Sequence, residues 1–305
     1  MPKSTVFVIG CSGFIGPATV KALSDNYSDK VNIIAGTRDP ASEKVAKLKT
    51  LPGVTVVRAD MNDKEALCEQ LRGVTSLFIV TPTSGIKIAI GAAEVAKSSG
   101  VQHILTVSIL TVSLTDTIYG KQYTELESSV QNLEMPYTII RLPPFVDNYW
   151  SFQRPIQQKS SFATPGDPTK PFSAVVVADA GKAAAAIMAD PKKHYAKTYK
   201  LISNCHTLDD VAVTFSEILG KKIKYERMSY EDSRSRFINV VGFSEEDADG
   251  ILEIYKLTDE ECPLVNDPDM SHFTKITGEE PSTLKEWVTE VAPAFNAKQI
   301  GRAHV

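Results

Sequence analysis

Short β-branched runs alternate with longer segments of helical period through the first half of the chain. That is the pattern of a parallel sheet covered by helices. Thr5–Ile9 predicts the first strand, followed by a helix from Phe14 to Leu23. The alternation continues with Val31–Ala35, a helix near Ala41–Leu48, Val54–Arg58, a helix near Lys64–Leu71, Ser76–Val80, a helix near Ile86–Ser98, and His103–Val107. Tyr119, Tyr123, Leu126, Val130 and Leu133 then recur at spacings of four and three and form one apolar helix face. This helix leads through Met135-Pro136 into Tyr137–Leu142, an apolar run stopped by Pro143-Pro144, since proline cannot donate into a ladder.

Periodicity weakens beyond this point. Ser151–Phe172, rich in Pro, Gln, Ser and Lys, reads as an irregular connection over a cleft. Ala174–Val177 reads as a strand, and Asp179 as the N-cap of an alanine-rich helix over Ala180–Ala189. Thr198–Ile202, a helix over Thr207–Leu219 closed by Gly220, Lys222–Arg227, and helical stretches at Tyr230–Asn239, Glu245–Leu257 and Thr283–Val291 complete the pattern. The expectation is an α/β chain with a Rossmann-type, doubly wound parallel sheet over residues 1–148, completed by 174–190. A smaller mixed α/β region is expected over 151–173 and 191–296, with a loose tail at 297–305.

Composition narrows the classes. With 305 residues, 43% hydrophobic and 23% charged, the chain can bury a core without disulfides or metals. The formal net charge of −4 argues against direct nucleic-acid binding, so an anionic ligand must be met by a local site. Cys11, Cys68, Cys205 and Cys262 have neither the pairing nor the His spacing of a zinc site and read as free thiols. No run approaches the roughly 18 apolar residues of a membrane span, and Thr5–Gly10 is too short for a secretory signal. A cytoplasmic protein is expected.

The sharpest chemistry lies at the first strand–helix turn. Gly10-Cys11-Ser12-Gly13-Phe14-Ile15-Gly16 is a Gly-x-x-Gly-x-x-Gly loop. Such glycines allow a tight turn, close approach of backbone to a pyrophosphate, and close helix–strand packing, while the free N–H groups of the helix start receive negative charge. An Asp or Glu at the end of the second strand would bind ribose hydroxyls, but the sequence there is Ala35-Gly36-Thr37-Arg38. The Arg38 guanidinium can grip a 2′-phosphate and Thr37 can add a hydroxyl, which favours NADP over NAD. In the alternative reading Arg38 is a solvated loop charge and Asp39 takes the ribose. Asp60-Met61 and Thr81-Pro82, after the third and fourth strands, are candidates for adenine and ribose contacts, or else cap the helices that follow.

At this point the chain resembles the NmrA-like family of atypical short-chain dehydrogenases over nearly its full length. The resemblance is carried by Val8–Gly16, Gly36–Asp39, Ala59-Asp60, Ile140–Tyr149 and Cys205–Asp210. Within it, the arrangement around Leu142–Asn148 and Cys205–Asp210 is similar to the animal NmrA-like redox-sensor proteins, which bind NADPH and are regarded as regulators rather than efficient enzymes. Other members are NADPH-dependent quinone, isoflavone or phenylpropenal reductases. The resemblance implies that Pro143 and Phe145 line the nicotinamide end. It also implies a lysine facing the nicotinamide ribose at a position that falls here on Tyr123, with Lys121 two residues away.

Hydride delivery to a carbonyl or conjugated alkene leaves charge on oxygen, so a reductase gains from a positioned acid. In Tyr-x-x-x-Lys the two side chains share a helix face and the cation lowers the tyrosine's pKa. Here Tyr119 is followed at that spacing by Tyr123, and Lys121 is displaced by roughly 200° around the helix. Tyr119 and Ser108 are the candidate proton and hydrogen-bond donors, although both tyrosines also continue the apolar face and Ser108 can satisfy backbone. Cys205-His206 suggests a nucleophile and base, but neighbours on a strand end point to opposite faces. The acidic runs Glu245-Glu246-Asp247 and Asp259-Glu260-Glu261 read as solvated helix ends. The expectation is an NADP(H)-binding sensor or regulator with little turnover and a regulatory protein partner. The alternative is an NADPH-dependent reductase of quinones or other small conjugated carbonyl compounds.

Overall fold

The computed structural model describes residues 3–81 and 85–296; Pro82 and the stretch 297–305 lie outside the described residues. The chain divides into two compact units. The first comprises the segment up to Leu142, Val177–Leu201 and Asp269–Glu280; the second comprises Pro143–Val176, Ile202–Pro268 and the segment from Pro281 onward.

In chain order the first segment carries β1 (Ser4–Ile9), α1 (Ile15–Tyr27), β2 (Val31–Thr37), α2 (Glu43–Ala46), β3 (Val54–Arg58), α3 (Lys64–Gln70), β4 (Ser76–Ile79), α4 (Ile86–Ser98), β5 (His103–Ile109), α5 (Ile118–Gln131) and β6 (Tyr137–Leu142). The second unit begins with α6 (Gln153–Lys159), β7 (Ser161–Thr164) and β8 (Phe172–Ala174), and the chain then returns to the first through α7 (Val177–Ala189) and β9 (Lys197–Lys200). The remainder is β10 (Asn204–His206), α8 (Leu208–Leu219), β11 (Lys224–Arg227), α9 (Tyr230–Arg236), α10 (Glu245–Asp259), α11 (Ser271–Thr277) and α12 (Leu284–Asn296), of which only α11 belongs to the first unit.

The first unit is built on a seven-stranded sheet ordered β3-β2-β1-β4-β5-β6-β9, with every pairing parallel. The order reverses at β1, so the carboxyl ends of β1 and β4 flank the crevice where open α/β sheets bind ligands. Near-continuous burial of β1, β4 and β5 follows from their position between two helical layers. α1 and α7 approach closely because small residues meet: a Cβ on Gly181 would lie 2.7 Å from the Ala18 carbonyl carbon.

One polar strap runs through this core. Thr138 donates to the His194 carbonyl (2.7 Å) and therefore accepts from His103 Nε2 (2.9 Å), which leaves His103 Nδ1 to accept from the Ser76 hydroxyl (2.7 Å). β4, β5 and β6 are thereby cross-linked through a neutral imidazole whose pKa burial pushes down to about 3.

The second unit has its own aromatic core, in which Phe152, Phe162, Phe215, Trp287 and Phe295 pack with Val146 and Val288. Here the structure corrects the sequence reading. Ser151–Phe172 is not an irregular connection: α6 and β7 lie within it, and Phe172 opens β8. β7 pairs in parallel with β11, and β8 pairs antiparallel with β10. Their partners are remote in sequence, so strands of four and three residues leave no local period. β8 ends at Ala174 and α7 already begins at Val177, so Asp179 lies buried in the first turn instead of capping it. Asp259 is not simply solvated: it accepts from the Asp167 N–H (2.7 Å), Arg227 (2.6 Å) and the Tyr230 hydroxyl (2.9 Å). Glu245, Glu246 and Asp247 do form a helix start, the first turn of α10 behind the Ser244 cap, where the helix dipole favours them.

Candidate functional site

The turn between β1 and α1 is fastened from within. The N–H groups of Gly10 and Cys11 both donate to the Gly36 carbonyl (3.1 and 3.0 Å), and Gly13 N–H donates to the Gly10 carbonyl (3.2 Å). The three glycines serve different ends. Gly10 has φ +99°, and a Cβ there would meet Val80 Cβ at 2.9 Å. A Cβ on Gly16 would fall 2.6 Å from the Gly10 carbonyl oxygen, so this glycine lets α1 start against the strand. A Cβ on Gly13 would meet only the Gly10 carbonyl, at 3.5 Å. The protein itself does not demand a glycine at Gly13, and the space beside it is open to a ligand.

The start of α1 matches that space. Phe14 precedes it without a side-chain cap, and its first turn holds no acidic residue, so the first N–H groups keep their affinity for an anion. Ser12, Gly13 and Phe14 are exposed, Phe14 to 58%, while Ile15 and Gly16 are buried in the helix base. Cys11 turns inward, its thiol donating to the Val8 carbonyl (3.1 Å), and burial pushes its pKa up to about 12. A thiol so protonated and enclosed is a packing group and not a reactive one.

At the ends of β2 and β3, Thr37 is buried, and its hydroxyl oxygen accepts from Asp39 N–H (3.4 Å). Arg38 is exposed and takes part in no ion pair among the described residues. Asp39 Oδ1 accepts from Ala41 N–H (2.9 Å), which commits it to its own turn. Asp60 does not cap the helix after it, a role taken by Asp63, which accepts from Ala66 N–H (3.1 Å). Asp60 Oδ1 accepts from the backbone and side-chain amides of Asn62 (2.9 and 3.0 Å). The Asn62 backbone amide, together with its side-chain amide and the charges of Arg38 and Arg58, holds the Asp60 carboxyl below the usual range. Met61 follows, half-buried. Thr81 donates to the Val107 carbonyl (3.2 Å) beyond β4. Arg58, exposed at the end of β3, is a second positive charge acting on the Asp60 carboxyl.

On α5, Tyr119 and Tyr123 are both buried (9% and 7% exposed) and Lys121 is exposed. One turn beyond Tyr123 stands Glu127, gripped by Arg141 through Nε–Oε1 (2.8 Å) and Nη2–Oε2 (2.6 Å). Each tyrosine thus has, four residues on, a group that cannot supply positive charge. Ser108 is fully buried at the end of β5, and its hydroxyl has no hydrogen-bond partner among the described residues.

Pro143 and Phe145 belong to the second unit. Pro143 is buried, and Phe145 is half-buried and bridges Val175. Cys205 and His206 diverge there. The Cys205 thiol donates to Asn266 Oδ1 (3.0 Å), whereas His206 accepts from the Tyr149 hydroxyl at Nε2 (2.6 Å) and donates through Nδ1 to Asn204 (2.5 Å). Burial pushes His206 down to about 4, and the pair has no nucleophile–base geometry.

The NmrA-like family model matches residues 2–288. The chain belongs to the NmrA-like family. Among its relatives, the NAD(P)H azoreductase of Xenophilus azovorans is 25% identical over 302 residues, covering 96% of this NmrA-like chain and 99% of the relative. The NADPH-dependent quinone oxidoreductase of Escherichia coli, solved with NADPH, superposes with a TM-score of 0.79 at 24% identity, over 94% of this chain and 99% of the other. NmrA, a negative transcriptional regulator solved with NAD, gives a TM-score of 0.78 at 17% identity, over 96% of each chain. Both solved structures have the fold of this NmrA-like chain. Among its described residues no helix is long and apolar enough to cross a membrane.

Proposed function

We propose that the chain binds NADPH at the Gly10–Gly16 turn and reduces a small conjugated, electron-poor acceptor of the quinone type. The observation that carries this reading is the cradle at Gly13, where a Cβ would fill open space directly before an uncapped helix start. Arg38, exposed and in no ion pair among the described residues, supports a 2′-phosphate and therefore NADPH over NADH. When bound, NADPH supplies a hydride. The chain's part is to seat the pyrophosphate on the α1 N–H groups and to hold the adenosine end with Thr37, Arg38, Asp60 and Met61. Thr81 stands at the crevice end of β4. Ser108, whose buried hydroxyl lacks a partner among the described residues, donates to the acceptor oxygen, and Tyr119 or solvent supplies the proton.

The acceptor class follows from what α5 lacks. With Tyr123 and Glu127 where a cation would lower a tyrosine's pKa, the site offers a weak acid, which suits an acceptor that spreads the incoming charge over its own π system. The azoreductase relative, whose name denotes reduction of an azo bond, is in keeping with this. The same missing cation also favours a second reading, a sensor that binds NADPH without turnover and presents its ligation state to a protein partner in the cytoplasm. Steady-state NADPH oxidation with a panel of quinones separates the two. Turnover in the wild type, with kcat/KM for NADPH about tenfold lower in Arg38→Ala, is the expected result. Micromolar NADPH binding with no oxidation across the panel overturns the reductase and assigns the sensor.

A further inference from the structure

The helix that carries Tyr119 and Tyr123 is fastened in two different ways. Its first half is tied to the loop just before it. Thr117 Oγ1 accepts from Gly120 N–H (3.0 Å) and donates to the Leu114 carbonyl (2.7 Å), and the Thr124 hydroxyl donates to the Val112 carbonyl (2.7 Å). Further along, α5 is tied to the sheet. Glu127, 6% exposed, takes both arms of the Arg141 fork of β6, at 2.8 and 2.6 Å. A bidentate pair fixes a distance and a plane together, which a single bond does not.

The strand register carries that constraint to β5. Ser108 stands opposite Arg141 in the parallel β5–β6 ladder, and paired residues there put their side chains on the same face. Arg141 reaches α5 from that face, so the fully buried Ser108 lies on the α5 side of the sheet as well. Across the other ladder Arg141 stands opposite Lys200 of β9. This like charge leaves the guanidinium reason to turn toward Glu127.

Stability alone does not account for the fork. Apolar residues of similar volume often replace a buried ion pair at no cost, and a repacked apolar contact loses its unique geometry before it loses stability. What the pair adds is one rotation and one height for α5 over β5 and β6.

We propose that Glu127 and Arg141 are positioning residues, whose fork sets how α5 presents Tyr119 to the Ser108 end of β5. This rests on the reductase reading above, and a readout that needs neither nucleotide nor turnover keeps the two apart.

Glu127→Leu combined with Arg141→Met removes both charges and keeps a similar volume. Its thermal midpoint is expected to stay close to that of the wild type, while the amides of residues 118–127 exchange hydrogen at least about tenfold faster. With a quinone, kcat falls at least about tenfold and KM for NADPH stays within about twofold, as a displaced reacting group requires. Arg141→Lys keeps the charge without the fork and falls between in exchange and in kcat; it decides alone if the double variant does not fold. Unchanged exchange over 118–127, or faster exchange with wild-type kcat, overturns the positioning role and leaves the reductase reading standing. A wild type without quinone turnover overturns the reductase reading instead, and wild-type exchange in the variants would then overturn the fork's hold on α5 as well.

Discussion

Gly13→Val is expected to weaken NADPH binding by at least about a hundredfold, the equivalent of two lost charge-assisted contacts, while leaving the thermal midpoint of the apoprotein nearly unchanged. The asymmetry follows from the glycine geometry. Gly13 is not among the positive-φ residues, and its Cβ would meet no atom closer than 3.5 Å, so the fold accommodates a side chain. That side chain would project where the backbone must approach the pyrophosphate. Gly16→Val is the contrasting control. Its Cβ would lie 2.6 Å from the Gly10 carbonyl and 3.0 Å from Cys11 Cα, so the turn itself must move and the midpoint falls. Scanning fluorimetry of both apoproteins, with an NADPH titration of Gly13→Val, checks the pair. Wild-type affinity in Gly13→Val would show that the open space beside the turn is not the pyrophosphate site.

The second large effect is on stability against pH. His103 and His206 are held neutral, at about 3 and about 4, against an unperturbed value of 6.5. Below pH 6.5 the unfolded chain takes up protons that the folded chain refuses. Stability is therefore complete above about 6.5 and is lost as the pH falls toward the folded values. At pH 5 the deficit is 1.5 pH units per histidine, about 2 kcal/mol each and at most about 4 kcal/mol together. Carboxylates such as Asp60, Asp210 and Asp249, which are lowered from 3.8, add their own loss only in more acidic solution, so the two contributions fall in separate windows. Urea unfolding at pH 7 and pH 5 measures the difference. His103→Gln should remove about half of the pH dependence, and a midpoint that does not change between these pH values would contradict the buried, neutral assignment of both rings.

The sheet and the dinucleotide turn are legible in the chain because their signals are local. β1 to β6 are apolar runs separated by amphipathic helices, and Gly10, Gly13 and Gly16 stand where a strand meets a helix. The second unit is less legible because its pairings are remote. Ser161–Thr164 finds its partner at Lys224–Arg227, and Phe172–Ala174 finds its partner at Asn204–His206. The same holds within the site. Arg38 is visible as a strand end lacking a carboxylate, whereas the charge of Arg58 acts on Asp60 only because β2 and β3 are neighbours. The strap through Ser76, His103 and Thr138 was equally hidden, since polar residues in three separate strands reveal nothing until β4, β5 and β6 are adjacent. The displacement of Lys121, by contrast, needed only the helical period, and the structure exposes it on the face away from Tyr119 and Tyr123.

The central claim is that this turn holds NADPH in preference to NADH. Calorimetric titration of the wild-type protein with each nucleotide tests it most directly. NADPH is expected to bind in the micromolar range or tighter and NADH at least about tenfold more weakly, as one 2′-phosphate met by charge-assisted bonds requires. NADH binding as tight as NADPH, or no binding of either, would contradict the account.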